Sequence, residues 1–239
     1  MLNSNFITRA LPKLLAGVTL LISTSAFAGP VTGSYDTGDG SDGNQATPLG
    51  STPPYTLTAT ANSFSYVLFY PDQAFTFSQL TSFSANFVSN SGGAGGGAPR
   101  LRIQLDTNHD TVGDGSISIY LGDSPNFVNT DAELNAYSGV NLIGNNDAGR
   151  YDTSAFGGGS PFTTYASALA LLGSADVLRF GLVLDTFAPF PDRNLTLNGF
   201  NADFAPAAAV PEPGTIALVG LGLGALSLRR RKPHQSAAG

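Results

Sequence analysis

The residues best placed to do chemistry lie in one short stretch, Asp106-Thr107-Asn108-His109-Asp110-Thr111-Val112-Gly113-Asp114-Gly115. Asp106, Asn108 and Asp110 occupy positions 1, 3 and 5 of a calcium-loop pattern, and Asp114 occupies position 9. Alternating oxygen ligands suit Ca²⁺, because a hard cation takes six to eight oxygens. The pattern departs at two places: Thr111 stands where glycine is needed, and Ile117 stands where a bidentate Glu belongs. The same residues also suit a hairpin loop between the alternating runs 101–105 and 116–121, since Asp, Asn and Gly are turn formers. Both readings stand on sequence, and the cofactor expectation is Ca²⁺ or none. The Asp36, Asp39 and Asp42 cluster among glycines reads as a solvated segment.

Other chemistry has few carriers. There is no Cys, which removes disulfides, thiol nucleophiles and thiolate metal sites. His109 is the single His before the C-terminal region, and no Gly-x-Ser-x-Gly elbow accompanies it. No catalytic residue is assigned. A polysaccharide-degrading enzyme would need two carboxylates, one of raised pKa. Asp152 and Asp185, beside aromatic and Gly-rich loops, are the least arbitrary pair for that alternative. Tyr120, Tyr137, Tyr151 and Tyr165 are candidate sugar-stacking rings in a chain without Trp, with core packing as the default. The run Ser89–Pro99 is glycine-rich but precedes a strand and lacks the Lys-Ser/Thr of a phosphate cradle. It reads as a mobile loop within one domain.

The elements that must hold these residues read as all-β. From Gly29 to Ala209 there is no Lys and a single Glu, whereas Thr, Ser, Val, Ile and Phe abound. Period-two alternation recurs at Leu101/Ile103/Leu105, Ile117/Ile119/Leu121, Leu178/Phe180/Leu182/Leu184 and Leu195/Leu197. Runs 66–70 and 75–87 add aromatic-rich strands, with Phe75 and Phe77 on one face. Thr130-Asp131-Ala132-Glu133 is a capping box opening a short helix, and 163–172 places Tyr165, Leu169 and Leu172 on one helical face. A long structured loop, 141–159, lies between these helices. The expectation is a single β-sandwich or jelly-roll-like domain over 29–209, with 29–54 an irregular lead-in.

Charge divides the chain. Five arginines face sixteen carboxylates between Gly29 and Ala209, an excess of eleven negative charges. Such a body repels phosphate backbones, so no nucleic-acid partner is expected. The remaining basic residues sit at the two ends. Arg9 and Lys13 precede the apolar run 14–22, and Ala26-Phe27-Ala28 gives the small-x-small cleavage pattern of a signal peptide over 1–28. Signal peptidase is the partner implied.

At the other end, Val210-Pro211-Glu212-Pro213 precedes an apolar run from Gly214 to Leu228 and the cluster Arg229-Arg230-Arg231-Lys232. As a helix that run would be roughly 22 Å long against ~30 Å of hydrocarbon, and its basic flank would stay cytoplasmic. This tail resembles the PEP-CTERM sorting signal of Gram-negative bacteria. The resemblance implies transient anchoring in the inner membrane by 214–228, processing by an exosortase near the Pro-Glu-Pro element, and delivery to the cell surface or matrix. Residues 233–239 form a polar extension longer than that pattern expects. The resulting expectation is an exported surface or matrix protein, structural or adhesive in the exopolysaccharide and Ca²⁺-bridged to it. The alternative is the secreted enzyme above.

Overall fold

The alternating segments do form strands. A computed structural model describes residues 29–41, 53–60, 62–187 and 189–205, so the expected signal peptide, 1–28, and the expected sorting signal, 210–232, lie outside the described residues. In chain order the elements are β1 (Gly29–Pro30), β2 (Gly33–Ser41), β3 (Tyr55–Ala59), β4 (Ser63–Pro71), a 3₁₀ turn (Phe77–Gln79), β5 (Leu80–Ser91), β6 (Arg100–Asp106) and β7 (Gly115–Tyr120). Then follow α1 (Asp131–Asn135), β8 (Tyr151–Asp152), α2 (Tyr165–Leu172), β9 (Asp176–Thr186) and β10 (Arg193–Phe204).

All pairings between these strands are antiparallel, in two sheets. The smaller sheet is built on β10, with β5 on one side and β3 and β1 on the other; the larger runs β2-β4-β9-β6-β7-β8. Their inner faces share one core. Phe83 of β5 meets Phe180 of β9 edge-on at 4.7 Å, and Phe69 of β4 lies 5.1 Å from Phe180. Each such buried ring contributes roughly 1.5–3 kcal/mol by leaving water. The protein is therefore all-β with two short helices.

Both helices start as their sequences dictate. Thr130 Oγ1 accepts the Glu133 N–H while Glu133 Oε2 accepts the Thr130 N–H, closing the capping box of α1. Thr164 caps α2, whose Ala168 and Leu172 are buried and whose Tyr165 packs against Phe77 and Tyr151.

Four expectations are corrected. The lead-in 29–54 is not wholly irregular, because Gly33–Ser41 pairs with β4 at nine register positions. Its Gly/Asp-rich sequence hides the strand, which is held by the β4 ladder and by Tyr35 packed on Tyr55, Phe69 and Phe200. The run 75–87 is broken by the 3₁₀ turn, and the strand begins at Leu80. In β9 a register shift opposite Gln104/Leu105 turns Leu178 outward and buries Val177 instead. The glycine-rich loop is packed: Ala94 and Ala98 are buried, and Arg193 donates to the Gly95 carbonyl at 2.7 Å. Gly96 has φ +59°, and a Cβ there would stand 2.6 Å from the Phe190 ring, so glycine is required by close approach.

The long loop 141–159 contains β8 and is held by Arg150, which is 1% exposed. Arg150 donates to the Tyr120 and Gly122 carbonyls at 2.8 and 3.0 Å and to Asp147 at 2.6 Å. Its guanidinium also lies over the Phe127 and Tyr137 rings.

Candidate binding face

The Asp-rich stretch connects β6 to β7 as a hairpin loop whose oxygens serve its own backbone. Asp106 is 1% exposed and accepts the N–H groups of Asn108, His109 and Thr111. Asn108 accepts the Asp110 amide, and Asp110 accepts the Val112 amide at 2.8 Å. Asp114 accepts the Thr107 hydroxyl and amide, which hold its carboxyl below the ordinary range. Thr111, at the position where the calcium pattern takes glycine, has φ +69°. That is a left-handed conformation rare for a β-branched residue, stabilised here by the Asp106 carboxylate. Among the described residues no three His, Asp or Glu side chains converge in an arrangement able to hold a metal ion.

His109 is exposed, and its Nδ1 lies 2.8 Å from Asp176. This contact raises the imidazole pKa, by hydrogen bonding first and by charge second. No Ser hydroxyl hydrogen-bonds to His109 among the described residues. Asp185 receives a two-point ion pair from Arg100, at 3.0 and 2.7 Å. Asp152 accepts from Tyr120 Oη at 2.9 Å and from Ser154. Burial acts to raise the Asp152 pKa, but the Ser154 and Tyr120 hydrogen bonds prevail and leave it lowered. A glycosidase acid requires the opposite shift.

The four proposed stacking tyrosines are committed to packing. Tyr151 is fully buried and donates to the Leu142 carbonyl. Tyr120 is 8% exposed, and desolvation together with Asp152 pushes its phenol up to about 12. Tyr137 donates to Asp123, and Tyr165 lies against Phe77 and Tyr151.

What the fold does present is the outer face of the six-stranded sheet. Strand β4, Ser-Phe-Ser-Tyr-Val-Leu-Phe-Tyr-Pro, is apolar on both sides. Val67 and Phe69 point into the core, while Phe64, Tyr66, Leu68 and Tyr70 form a half-buried stripe on the outside. Solvent faces of antiparallel sheets are ordinarily polar. Phe64 and Tyr66 lie 6.2 Å apart at an interplanar angle of 16°. Next to the stripe, β9 and β6 bring Arg179, Arg100 and Arg102 onto the same face, since Arg102 pairs with Gly181 and Arg179 with Gln104. A cleft of about 530 Å³ is lined by the stripe and the arginines together, with Asp36, Asp185 and Phe187 also in its wall. This volume is within the ~300–1,000 Å³ of ordinary ligand pockets.

The three guanidiniums are not equivalent. Arg100 is neutralised by Asp185. Arg179 donates to Tyr70 Oη at 2.7 Å and lies over the Tyr70 ring, and has no carboxylate partner among the described residues. Arg102 is exposed and makes no hydrogen bond or ion pair among the described residues. Desolvation against the sheet, then Arg100 and Arg179 beside it, lower its pKa.

The sequence signal for this face was present but incomplete. Arg100, Arg102 and Arg179 all fall on the polar phase of alternating strands. That β6 and β9 are neighbours, with Arg102 opposite Gly181, is a long-range fact that no local pattern contains.

Residues 209–232 match the family model of the PEP-CTERM protein-sorting motif. Searches of curated proteins and of solved structures gave no match. No helix among the described residues is long and apolar enough to cross a membrane, and the apolar run 214–228 lies outside them. The motif implies export, passage through the membrane before surface release, and processing by exosortase: the chain carries, at residues 209–232, the PEP-CTERM sorting signal of exosortase substrates.

Proposed function

We propose that the β-sandwich body is delivered to the cell surface or extracellular matrix, where it acts as a structural or adhesive protein holding exopolysaccharide on the outer face of its six-stranded sheet. The observation that carries this reading is the β4 stripe, Phe64, Tyr66, Leu68 and Tyr70, left half-exposed beside a row of arginines. Pyranose rings offer apolar faces for such aromatics and hydroxyls for guanidinium donors. The carboxylates Asp152 and Asp185 are engaged as acceptors by Tyr120 and Arg100, which favours holding over hydrolysis. The loop 106–114 acts as a self-capped hairpin, its carboxylates turned to its own amides, and the glycan is held without a cation.

The test is co-sedimentation of the mature protein with the exopolysaccharide of its own source organism, followed by a reducing-sugar assay on the same mixture. Retention without new reducing ends is expected. Release of new ends would replace this reading with the secreted enzyme, and failure to sediment would remove the adhesive role.

A further inference from the structure

The outer face carries information about the charge of what it holds. The body has an excess of eleven negative charges, yet three of its five arginines converge on one sheet face. Asp36 and Asp185 are the carboxylates at the cleft, and Asp185 is consumed by Arg100. Among the described residues Arg102 and Arg179, on adjacent strands, form no ion pair with a carboxylate. Diagonal neighbours across a sheet are about 7–8 Å apart, within a Debye length of each other at physiological salt, so these two like charges repel each other across the face. An anion between them relieves that repulsion, and the planar guanidinium fork matches a carboxylate in two-point fashion.

The shape of the face selects a polymer over a small anion. The depression is not confined to the main cleft. It continues through Leu68, Arg102, Gln104 and Arg179, and opens again, by about 550 Å³, between Tyr70, Thr111, Val112 and Leu178. From Ser63 to Tyr70 the floor follows β4 for roughly 24 Å. Gly181, buried, lies in register between Leu68 and Arg102, so no side chain stands between the stripe and the arginine row at that position. Beyond the arginine row a second hollow, about 280 Å³, is lined by Ser116, Ser118, Asp152 and Ser154, and the buried Ser116 Oγ there has no hydrogen-bond partner.

We infer that this face binds a carboxylated polysaccharide, whose sugar rings lie along Phe64, Tyr66 and Tyr70 and whose carboxylates are held by Arg102 and Arg179. The inference rests on the glycan-holding reading above and names the class of glycan. It also removes the need for a bridging cation, because the acidic body meets the acidic polymer through its one basic row.

The test uses the full chain in mild detergent and affinity gels containing polygalacturonate, fully methyl-esterified polygalacturonate, or dextran. Retardation by polygalacturonate is expected, at least fivefold weaker with the methyl ester and weaker again as salt is raised. Arg102→Gln should weaken binding about fivefold, and the double variant with Arg179→Gln more than tenfold, with unchanged thermal midpoints. Asp36→Asn removes the opposing carboxylate and should tighten binding two- to threefold, so the idea remains testable if the double variant misfolds. Equal retardation by acid and ester, or unaltered binding in the arginine and Asp36 variants, overturns the carboxylate inference while leaving glycan binding in place. Retardation by none of the three polymers overturns the carboxylate inference, while the glycan-holding reading falls only if the protein also fails to sediment with the exopolysaccharide of its source organism.

Discussion

His109 and Asp176 form an ion pair that joins the 106–114 loop to the start of β9 at 2.8 Å. Because Asp176 raises the imidazole pKa in the folded protein, the linkage has a definite sign. The stabilisation is fully present below the unfolded His value of about 6.5, and it is lost as pH rises through the higher folded value. Both partners are well exposed, so the energy is small and the titration is the better readout. An NMR titration of His109, identified by its absence in His109→Gln, should show a pKa above 6.5, and Asp176→Asn should bring it down. A folded-state value at or below 6.5 in the parent protein would show that the contact does not persist in solution.

At the scale of elements, the informative contrast is between β2 and β4. Strand β4 has apolar residues on both faces and is paired on both sides, by β2 and β9. Strand β2 lies at the edge of its sheet, with Asp36 along it, and charge on an edge strand discourages further pairing. Its attachment depends on Tyr35, whose ring lies 5.0 Å from Phe69 and 5.7 Å from Tyr55. Aromatic pairs contribute roughly 0.5–1.5 kcal/mol each beyond burial. Tyr35→Ala is therefore expected to cost about 2–3 kcal/mol locally. Amide exchange should quicken over 33–38 while β6 and β9 keep their protection; uniform loss of protection would mean that β2 and the core open as one unit. The same contrast explains what could be read from sequence. Strands β6 and β7, α1 and α2 announce themselves because alternation, a capping box and a helical face are local signals. Strand β2 carries no such signal, being fixed by partners twenty and more residues away. The bulge that turns Leu178 outward breaks alternation only when β9 meets β6. The candidate face needed three strands to be brought together, so its arginines and aromatics were visible singly and their assembly was not. The Asp-rich loop was legible as a hairpin connection, but the direction of its carboxylates, toward their own amides, is a matter of geometry.

For the whole molecule the decisive asymmetry is electrical. An acidic body stands between two ends that carry the other six basic residues, and next to an apolar segment such Lys and Arg residues stay on the cytoplasmic side of a membrane. The tail's apolar run is fifteen residues, roughly 22 Å as a helix, which is short of a ~30 Å hydrocarbon layer. Hydrophobicity alone then holds it weakly, and the charge cluster behind it must supply the stop. Replacing Arg229, Arg230 and Arg231 together by Asn should let the tail slip through before the Val210-Pro211-Glu212-Pro213 element is engaged. The released protein would then start near Gly29 and retain every residue to Gly239, read by intact mass. Changing Glu212 to Ala leaves the stop intact and should produce the other outcome, an uncut protein held in the membrane fraction. If the triple Asn variant is instead released with its C-terminus near 211–213, like the parent chain, the basic cluster is not what arrests export, and the apolar run must be sufficient despite its length.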